Sequence, residues 1–505
     1  MIDYEINDIP SASFKNHPSA TGELRDKVEL RLNEEIIDGN YAIVKDKPRI
    51  TSALAAIEKG NGQVRLIHDL SRPTGYAVND YAEKDPCFMQ SVNDAVNCVQ
   101  PNYYMSKIDL AWAYRSVSIK TCQQILTGLE WTFADGNTAY LQDKKLPFGA
   151  RKSPAIFNRL TQAVQRMMKR RGFENIVVYL DDFFITEPTF EACMASMNTL
   201  ITLLRQLGFG INWQKVVDPC QELVFLGIYI NTHENWLALD PVKKHKLVDN
   251  LQKSATQKRL SKTQLQTLAR RLSWAATVHP WGRTRLNTIF QLIRELNKSN
   301  HKVIKTAALA DDLNWWTTCL LQDTNRRQIW DRRPTIQMAT DSSNVGGGAF
   351  CTDTGAWLYI NWLLDSQRLA NEHINIKELA IIAYTVCTWA PMYPGFHFNV
   401  FSDNTFSVIA VNKGAARSVI AKQLLNEIAR AAQTYDIRVT ASYIPGHCND
   451  FADSISRFHS TGQIKRFNSL LLQYGYNFTP CTYWSPCHMS ELSAMFLSPR
   501  SGEPP

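Results

Sequence analysis

The stretch VVYLDDFFIT, Val177 to Thr186, sets two adjacent carboxylates, Asp181 and Asp182, inside an otherwise apolar run. A buried ionised carboxylate costs several kcal/mol unless it is paired or coordinates a metal. The pair must therefore sit in a turn, be neutralised, or hold cations. Read as a hairpin, the run has β-branched and aromatic arms with both acids at the turn, projected toward one point. Two like charges that close raise one another's pKa unless a cation lies between them. Magnesium suits the place, because it takes carboxylate oxygens in octahedral geometry and keeps positions for water and phosphate. A third carboxylate is then wanted from another strand, and Asp109 in YMSKIDLAWAYRSVSI, at the end of an apolar strand, is the candidate. A second pair, Asp311-Asp312 in ALADDLNWW, has a different setting. It reads as a helix with a polar face, where two acids cost little.

At 505 residues the chain exceeds one ordinary core and suggests roughly three to five units. Its 45% hydrophobic and 20% charged residues are those of a globular protein rather than a disordered one. No apolar run approaches the ~20 residues needed to span a bilayer, and MIDYEINDIP is an acidic start without a signal-like apolar segment. The reading implies neither membrane nor secretion. Eleven scattered cysteines without CxxC spacing suggest neither a disulfide framework nor a zinc ribbon, so cytoplasm or nucleus is the expected setting. Cys481, Cys487 and His488 are read as an ordinary loop rather than a zinc site. The net charge of +8 is uneven: fifteen Lys and Arg lie between Pro241 and Lys305, opposed only by Asp249 and Glu295. That density points to a polyanion partner, nucleic acid first.

No internal repeat, low-complexity tract or flexible linker is visible, so boundaries are read from periodicity. From about residue 60 to 235 short apolar runs alternate with helical patterns. Asp135-Gly136-Asn137 marks a turn between two strands. SPAIFNRLTQAVQRMMKR predicts a helix with Ser153-Pro154 as cap and first-turn proline and Ile156, Leu160, Val164 and Met167 on one face. From about 241 to 320 the pattern is helical. There Ser261 and Gln264 form a capping box, Leu265, Leu268, Leu272 and Ala275 the buried stripe, and Arg270 and Arg271 lie on or beside the exposed face. From Thr335 strands and helices alternate until about Phe458, and the terminal SPRSGEPP is expected to be disordered.

The segments KIDLAWAY, LPFGARKSPAIF, YLDD, GFGINWQK and FLGIYI, in this order and spacing, resemble the successive palm motifs of reverse transcriptases. The resemblance implies that Asp109 and Asp181 hold two Mg2+ ions, Mn2+ substituting, with Asp182 as the supporting acid. It places Tyr114 under the incoming sugar, where a ring excludes a 2′ hydroxyl. Phe148, Gly149 and Ser153-Pro154 would line the nucleotide and template pocket. Lys215 is similar to the lysine that protonates pyrophosphate, and Leu226-Gly227 to the hairpin that grips the primer. Upstream, GNGQVRLIHDLSRPTGYAVND resembles the fingers strand, with Arg65 in the place of the arginine that contacts the triphosphate; its planar fork suits two parallel bonds to phosphate oxygens. The basic helical segment, Arg270 and Arg271 included, would grip duplex backbone as thumb and connection.

A second acidic set lies beyond residue 334: Asp341 in TDSSNVGGGAF, Glu378 in INIKELAIIAY, Asp403 in NVFSDNTFSVIAV and Asp453 in IPGHCNDFADSISR. Singly each reads as a solvated cap. Together they resemble the strand, helix, strand and late-helix carboxylates of ribonuclease H, which implies a second two-metal site, with His447 on a loop assisting product release. The implied fold class is α/β (α+β): a right-hand polymerase of fingers, palm and thumb, followed by a connection and an RNase H-like domain. The expected boundaries are 1–103 for the N-terminal segment and fingers, 104–238 for the palm with part of the fingers, 239–333 for thumb and connection, 334–458 for the RNase H-like domain and 459–505 for a tail. RLIHDLSRPTGYAVND, HINIKEL and SDNTFSVIAVNKG look most like DIRS-type retrotransposons, which integrate through a tyrosine recombinase. No recombinase or aspartic protease motif is found here, so a separate recombinase would be required. The expected partners are an RNA template, a DNA primer, RNA/DNA hybrid and dNTPs. The rival readings are a domesticated nucleic-acid-binding protein with inactive sites and a cellular or defence reverse transcriptase.

Overall fold

The computed structural model describes residues 9–476 apart from 59, 61, 73, 84–85 and 323–325, and the chain divides into two compact units between Leu237 and Ala238. The tail motif around Cys481, Cys487 and His488 and the terminal SPRSGEPP lie outside the described residues.

After a short strand, Ala12–Ser13, and a one-turn helix, Pro18–Thr21, the first unit has helix α1 (Arg25–Ile37), strand β1 (Tyr41–Val44) and the hairpin of β2 (Ala53–Glu58) and β3 (Val64–Asp69). Strand β4 (Tyr104–Ala111) follows, then the hairpin of β5 (Gly128–Thr132) and β6 (Thr138–Asp143), whose turn holds Gly136 at φ 84°. Helix α2 (Ser153–Lys169) leads to the hairpin of β7 (Ile176–Tyr179) and β8 (Asp182–Glu187), helix α3 (Phe190–Gln206), and the short strands β9 (Gly210–Ile211) and β10 (Val217–Cys220). The hairpin of β11 (Glu222–Phe225) and β12 (Ile228–Asn231) comes last.

An antiparallel sheet in the order β9-β4-β8-β7, with β10 also paired to β4, organises this unit. Strand residues alternate between faces, so Ile108, Leu110, Phe183 and Ile185 turn one face into a core with Phe157 and Val164 of α2 and Leu200 and Leu204 of α3. The same alternation sends Asp109 to the other face. Phe184, also on that face, packs on Phe225 with ring centroids 5.1 Å apart.

Helix α2 differs from its expected stripe. Phe157, Thr161, Val164 and Met168 are buried while Met167 is 39% exposed. The Thr161 hydroxyl donates to the Phe157 and Asn158 carbonyls, so a polar residue occupies the inner face without penalty and an apolar count passes over it. Ser153 is the first helical residue rather than a side-chain cap; its hydroxyl donates to the Pro147 carbonyl at 3.0 Å.

The second unit begins with helices α4 (Pro241–Thr256), α5 (Lys262–Ala275), α6 (Asn287–Glu295) and α7 (Ala307–Leu321). Ser261 and Gln264 cap α5 reciprocally, and Leu265, Leu268, Leu272 and Ala275 are its buried face. On α7 Asp311 is exposed, but Asp312 is only 6% exposed. Its carboxylate accepts from the Thr288 hydroxyl at 2.7 Å and from Arg285 at 3.4 Å, which corrects the expectation of two solvated acids: donors from a neighbouring segment make burial affordable.

A five-stranded mixed sheet follows, of β13 (Thr335–Ser342), β14 (Gly346–Cys351), β15 (Trp357–Asn361), β16 (His397–Ser402) and β17 (Arg438–Tyr443), in the order β15-β14-β13-β16-β17. The first three pair antiparallel, and β16 and β17 extend the sheet in parallel. Helix α8 (Ile374–Trp389), inserted before β16, is buried around most of its circumference, as expected of a helix apolar on nearly every face. It packs with α9 (Val419–Thr434) in the core on one side of the sheet. Helices α10 (Asp450–Ser456) and α11 (Gln463–Gln473) cover Phe350 and Tyr359 on the other.

Replacing Asp312 by Ala is expected to lower unfolding stability by about 1–3 kcal/mol, because Arg285 and Thr288 lose a buried acceptor. An unchanged denaturant midpoint would show that the pairing is immaterial.

Candidate active sites

Asp182 is paired across the sheet with Asp109 on one side and with Tyr179 on the other. The turn is therefore Leu180-Asp181, and only Asp181 belongs to it; Asp182 opens β8. Leu180 takes φ 53°, a left-handed conformation that costs a non-glycine residue on the order of 1–3 kcal/mol and concentrates at functional sites. Like charges directly opposite on antiparallel strands are unfavourable. Burial, then the charges of Asp181 and Asp109, push the Asp182 carboxyl up to about 6. Asp181 is raised by burial and by Asp109, with Lys215 and Arg65 opposing.

Asp109 is 4% exposed and carries its own partners. Lys215 Nζ stands 3.2 and 3.1 Å from its two carboxylate oxygens, and Asn212 Nδ2 donates to Oδ1 at 3.0 Å. Both donors follow β9, which pairs with the end of β4. Asn212 was not among the expected site residues, although it lies within the same INWQK segment as Lys215.

These acids border a cavity of about 670 Å³ whose lining includes Asp109, Asp181, Lys215, Arg65, Tyr114 and Phe148, within the range of small-molecule sites. The Arg65 guanidinium lies 4.9 Å from the centre of the Phe148 ring. Tyr114 sits in a 3-10 turn, Ala113–Ser116, and packs on Phe148 and Phe157 with centroids 5.0 and 5.3 Å apart. Burial, helped by the Asp181 charge, pushes its hydroxyl up to about 12. Next to Phe148, Gly149 has φ 120°, and a Cβ there would stand 1.9 Å from the His68 carbonyl oxygen, so only glycine fits at this position.

Away from the cavity, Leu226 and Gly227 have φ 49° and 84° and form the two-residue turn of the β11–β12 hairpin. Arg270 is exposed on α5; Arg271 is half-buried, with Nη1 enclosed.

In the second unit one ligand oxygen each from Asp341 on β13, Glu378 on α8 and Asp403 just after β16 lie within 4.8 Å of one another. Glu378 Oε1 accepts from the Ser342 amide at 3.1 Å, while Oε2 is buried without a hydrogen-bond partner. Burial, then Asp341 and Asp403, push Glu378 up to about 9. Burial also raises Asp341 to about 6, despite the Ser456 hydroxyl that donates to it at 2.5 Å.

Asp453 accepts from Arg457 Nε at 2.8 Å and from Arg466 Nη1 at 2.7 Å, and its charge helps to raise both Asp341 and Asp403. His447 is exposed on the short turn Gly446–Cys448. That turn borders the trio, since a Cβ on Gly446 would stand 3.0 Å from Asp403 Oδ2.

Both sites have the donor chemistry for divalent cations, and the orphaned Glu378 oxygen among three crowded carboxylates fits one directly. In the first site the crowding of Asp181 and Asp182 makes the same case, with Lys215 supplying positive charge at Asp109.

The acidic sheet hairpin beside a basic and aromatic cavity has the arrangement of the palm in a right-hand polymerase fold. Residues 57–230 match the family profile "Reverse transcriptase (RNA-dependent DNA polymerase)". The Gag-Pol polyprotein of Gibbon ape leukemia virus is 26% identical over 217 residues, 42% of this chain and 12% of the polyprotein. Protein P of Duck hepatitis B virus (strain United States/DHBV-16) is 28% identical over 197 residues, 38% of this chain and 22% of that protein. The solved structure of a foamy viral protease-reverse transcriptase in complex with dsDNA superposes with a TM-score of 0.53 at 17% identity, covering 88% of this chain and 87% of that one. A structure of the foamy viral enzyme in complex with RNA/DNA hybrid gives 0.53 at 16% identity, covering 88% and 56%. Residues 57–230 are thus similar to reverse transcriptases of the retroviral and retroelement type, and the chain has a mixed α/β right-hand polymerase fold.

The raised Glu378 pKa has a definite consequence for stability. Its folded pKa of about 9 lies above the ordinary glutamate value, so between roughly 4.5 and 9 the folded state holds more protons than the unfolded state and stability falls as pH rises. With chelator present, Glu378→Gln should therefore be more stable than the parent near pH 8, the gain shrinking toward pH 5. Adding Mg2+ should raise the melting temperature of the parent more than that of the variant. Parallel pH profiles for the two proteins would contradict this.

Proposed function

We propose that the chain is an RNA- and DNA-directed DNA polymerase with ribonuclease H activity, copying retrotransposon RNA into DNA. The observation that carries the polymerase reading is that Asp109, paired across the sheet with Asp182, meets Asp181 at a cavity that also presents Arg65, Tyr114 and Phe148. Asp109, Asp181 and Asp182 would hold two Mg2+ ions, which when bound supply activation of the primer 3′ hydroxyl and charge stabilisation of the leaving pyrophosphate.

The chain's own side chains do the rest. Arg65 binds triphosphate oxygens through its fork while its guanidinium face rests on Phe148. Tyr114 closes the space beneath the sugar and selects deoxynucleotides. Lys215, already beside Asp109, is placed to give a proton to pyrophosphate. Gly149 keeps the backbone next to Phe148 close-packed, the Leu226-Gly227 turn holds the primer, and the basic helices, Arg270 and Arg271 among them, bind duplex backbone by counterion release. Solved relatives in complex with dsDNA and with RNA/DNA hybrid support a template and primer as partners.

For the second unit, the sheet order β15-β14-β13-β16-β17 and the trio Asp341, Glu378 and Asp403 support a ribonuclease H-like domain over about 334–458 that holds Mg2+ and cleaves RNA in hybrids. Asp453 and His447 flank that site as supporting residues. In this reading the fingers, palm, thumb with connection, and tail divide at about 103, 238, 333 and 458. The DIRS-like segments favour a partner tyrosine recombinase, and work on nucleic acid places the protein in cytoplasm, nucleus or both.

Asp181→Asn is expected to abolish primer extension by at least ~100-fold while sparing hybrid cleavage. Asp403→Asn should do the reverse. Extension on RNA and DNA templates and cleavage of a labelled hybrid measure the two activities; loss of both from either folded variant would refute the two-site assignment, and no incorporation by the parent with Mg2+ would favour a domesticated binding protein.

A further inference from the structure

The turn that carries Tyr114 closes on the short-range backbone bonds of Arg115 N–H to the Trp112 carbonyl at 2.6 Å and Val117 N–H to the Tyr114 carbonyl at 3.1 Å. It lies outside the sheet ladders, and it is entered through Trp112 at φ 57° and Ala113 at φ 25°. Such conformations persist only where the surroundings over-determine them. The adjacent residue, Arg115, supplies the restraint. Its Nη1 donates to both oxygens of Asp143 at 2.7 and 2.6 Å, and Nη2 and Nε donate to Glu35 Oε2 at 2.7 and 3.1 Å. The guanidinium also faces the Tyr41 ring, 5.2 Å from its centroid. All three charged side chains are enclosed, at 10% exposure for Arg115, 5% for Glu35 and 1% for Asp143.

The same network reaches Phe148 on the cavity lining. The Tyr41 hydroxyl is 2.8 Å from His68 Nε2, and the His68 amide donates to the Phe148 carbonyl at 2.9 Å. Phe148 is the ring against which Tyr114 packs. Helix α1 and strands β1, β3 and β6 are thus tied through one guanidinium to the turn bearing the aromatic wall.

We propose that Arg115, clamped between Glu35 and Asp143, is a positioning residue that fixes the Tyr114 ring and thereby sets how strictly the polymerase excludes ribonucleotides. The proposal rests on the reading of Tyr114 as the sugar gate. A planar, five-donor guanidinium can satisfy two carboxylates at once in one orientation, which an ammonium cannot. Arg115→Lys keeps the charge and loses that orientation. Glu35→Gln removes one carboxylate and leaves the bonds to Asp143 in place.

The test measures kcat/KM for dNTP and for the matching rNTP in primer extension by the full chain, with thermal melting and hybrid cleavage as checks of folding. Tyr114→Ala should lose sugar discrimination. Arg115→Lys should lower the dNTP-to-rNTP ratio about tenfold, as displacement of a positioned group by a fraction of an ångström does, and Glu35→Gln should shift it the same way by less. The double variant Tyr114→Ala/Arg115→Lys should show the ratio of Tyr114→Ala alone, because the two act as one unit. A folded Arg115→Lys that slows both nucleotides equally, or a double variant whose losses multiply, would overturn the proposal. Should Arg115→Lys fail to fold, an unchanged ratio in Glu35→Gln overturns it instead. Unchanged discrimination in Tyr114→Ala removes the gate itself, and the positioning role with it.

Discussion

Electrostatic crowding of carboxylates that the backbone holds together is the constraint around which both units are arranged. In the first, sheet pairing brings Asp109 and Asp182 opposite one another and the Leu180-Asp181 turn adds a third charge. In the second, a strand, a helix and a strand end bring Asp341, Glu378 and Asp403 together. Neither arrangement is favourable alone, because burial and mutual repulsion both oppose ionisation. The raised pKa values of Asp182, Asp341 and Glu378 express that cost. Large apolar cores absorb it: the palm-like sheet sits on α2 and α3, and the second sheet lies between two layers of helices.

The two sites handle their surplus charge differently. At Asp109 a lysine and an asparagine from one short segment stand on the carboxylate. At the trio the help is weaker, a serine hydroxyl on Asp341 and one backbone amide on Glu378, and one glutamate oxygen is left without a donor. Asp453 has its own arginines. A reaction that needs cations bound and released is better served by such incomplete neutralisation than by saturated ion pairs, whose charges already have partners.

Backbone strain lies close to the chemistry of the first unit. Trp112, Ala113, Leu180 and Gly149 all have positive φ and all sit beside the cavity or the acids. Each forces a side chain or a carbonyl into a place that a regular element would not offer. The Glu35-Arg115-Asp143 network shows how such strain is held, by fixed ionic geometry rather than by added apolar contact.

Much of this was legible in residue order. The acidic dipeptide within an apolar hairpin, the acid at the end of an apolar strand and the capping box at Ser261 are local signals, and local signals survive in sequence because they depend on period, turn chemistry and charge spacing. The reading failed where a neighbour distant in sequence decided the outcome. Asp312 is buried because Thr288 and Arg285, 24 and 27 residues away, reach it. The clamp on Arg115 joins positions 35, 115 and 143. Sequence alone singled out the acids and the segments that present them. Tertiary structure decided which of those charges meet a donor and which are left crowded without one, since desolvation and partner distance exist only once the chain has folded.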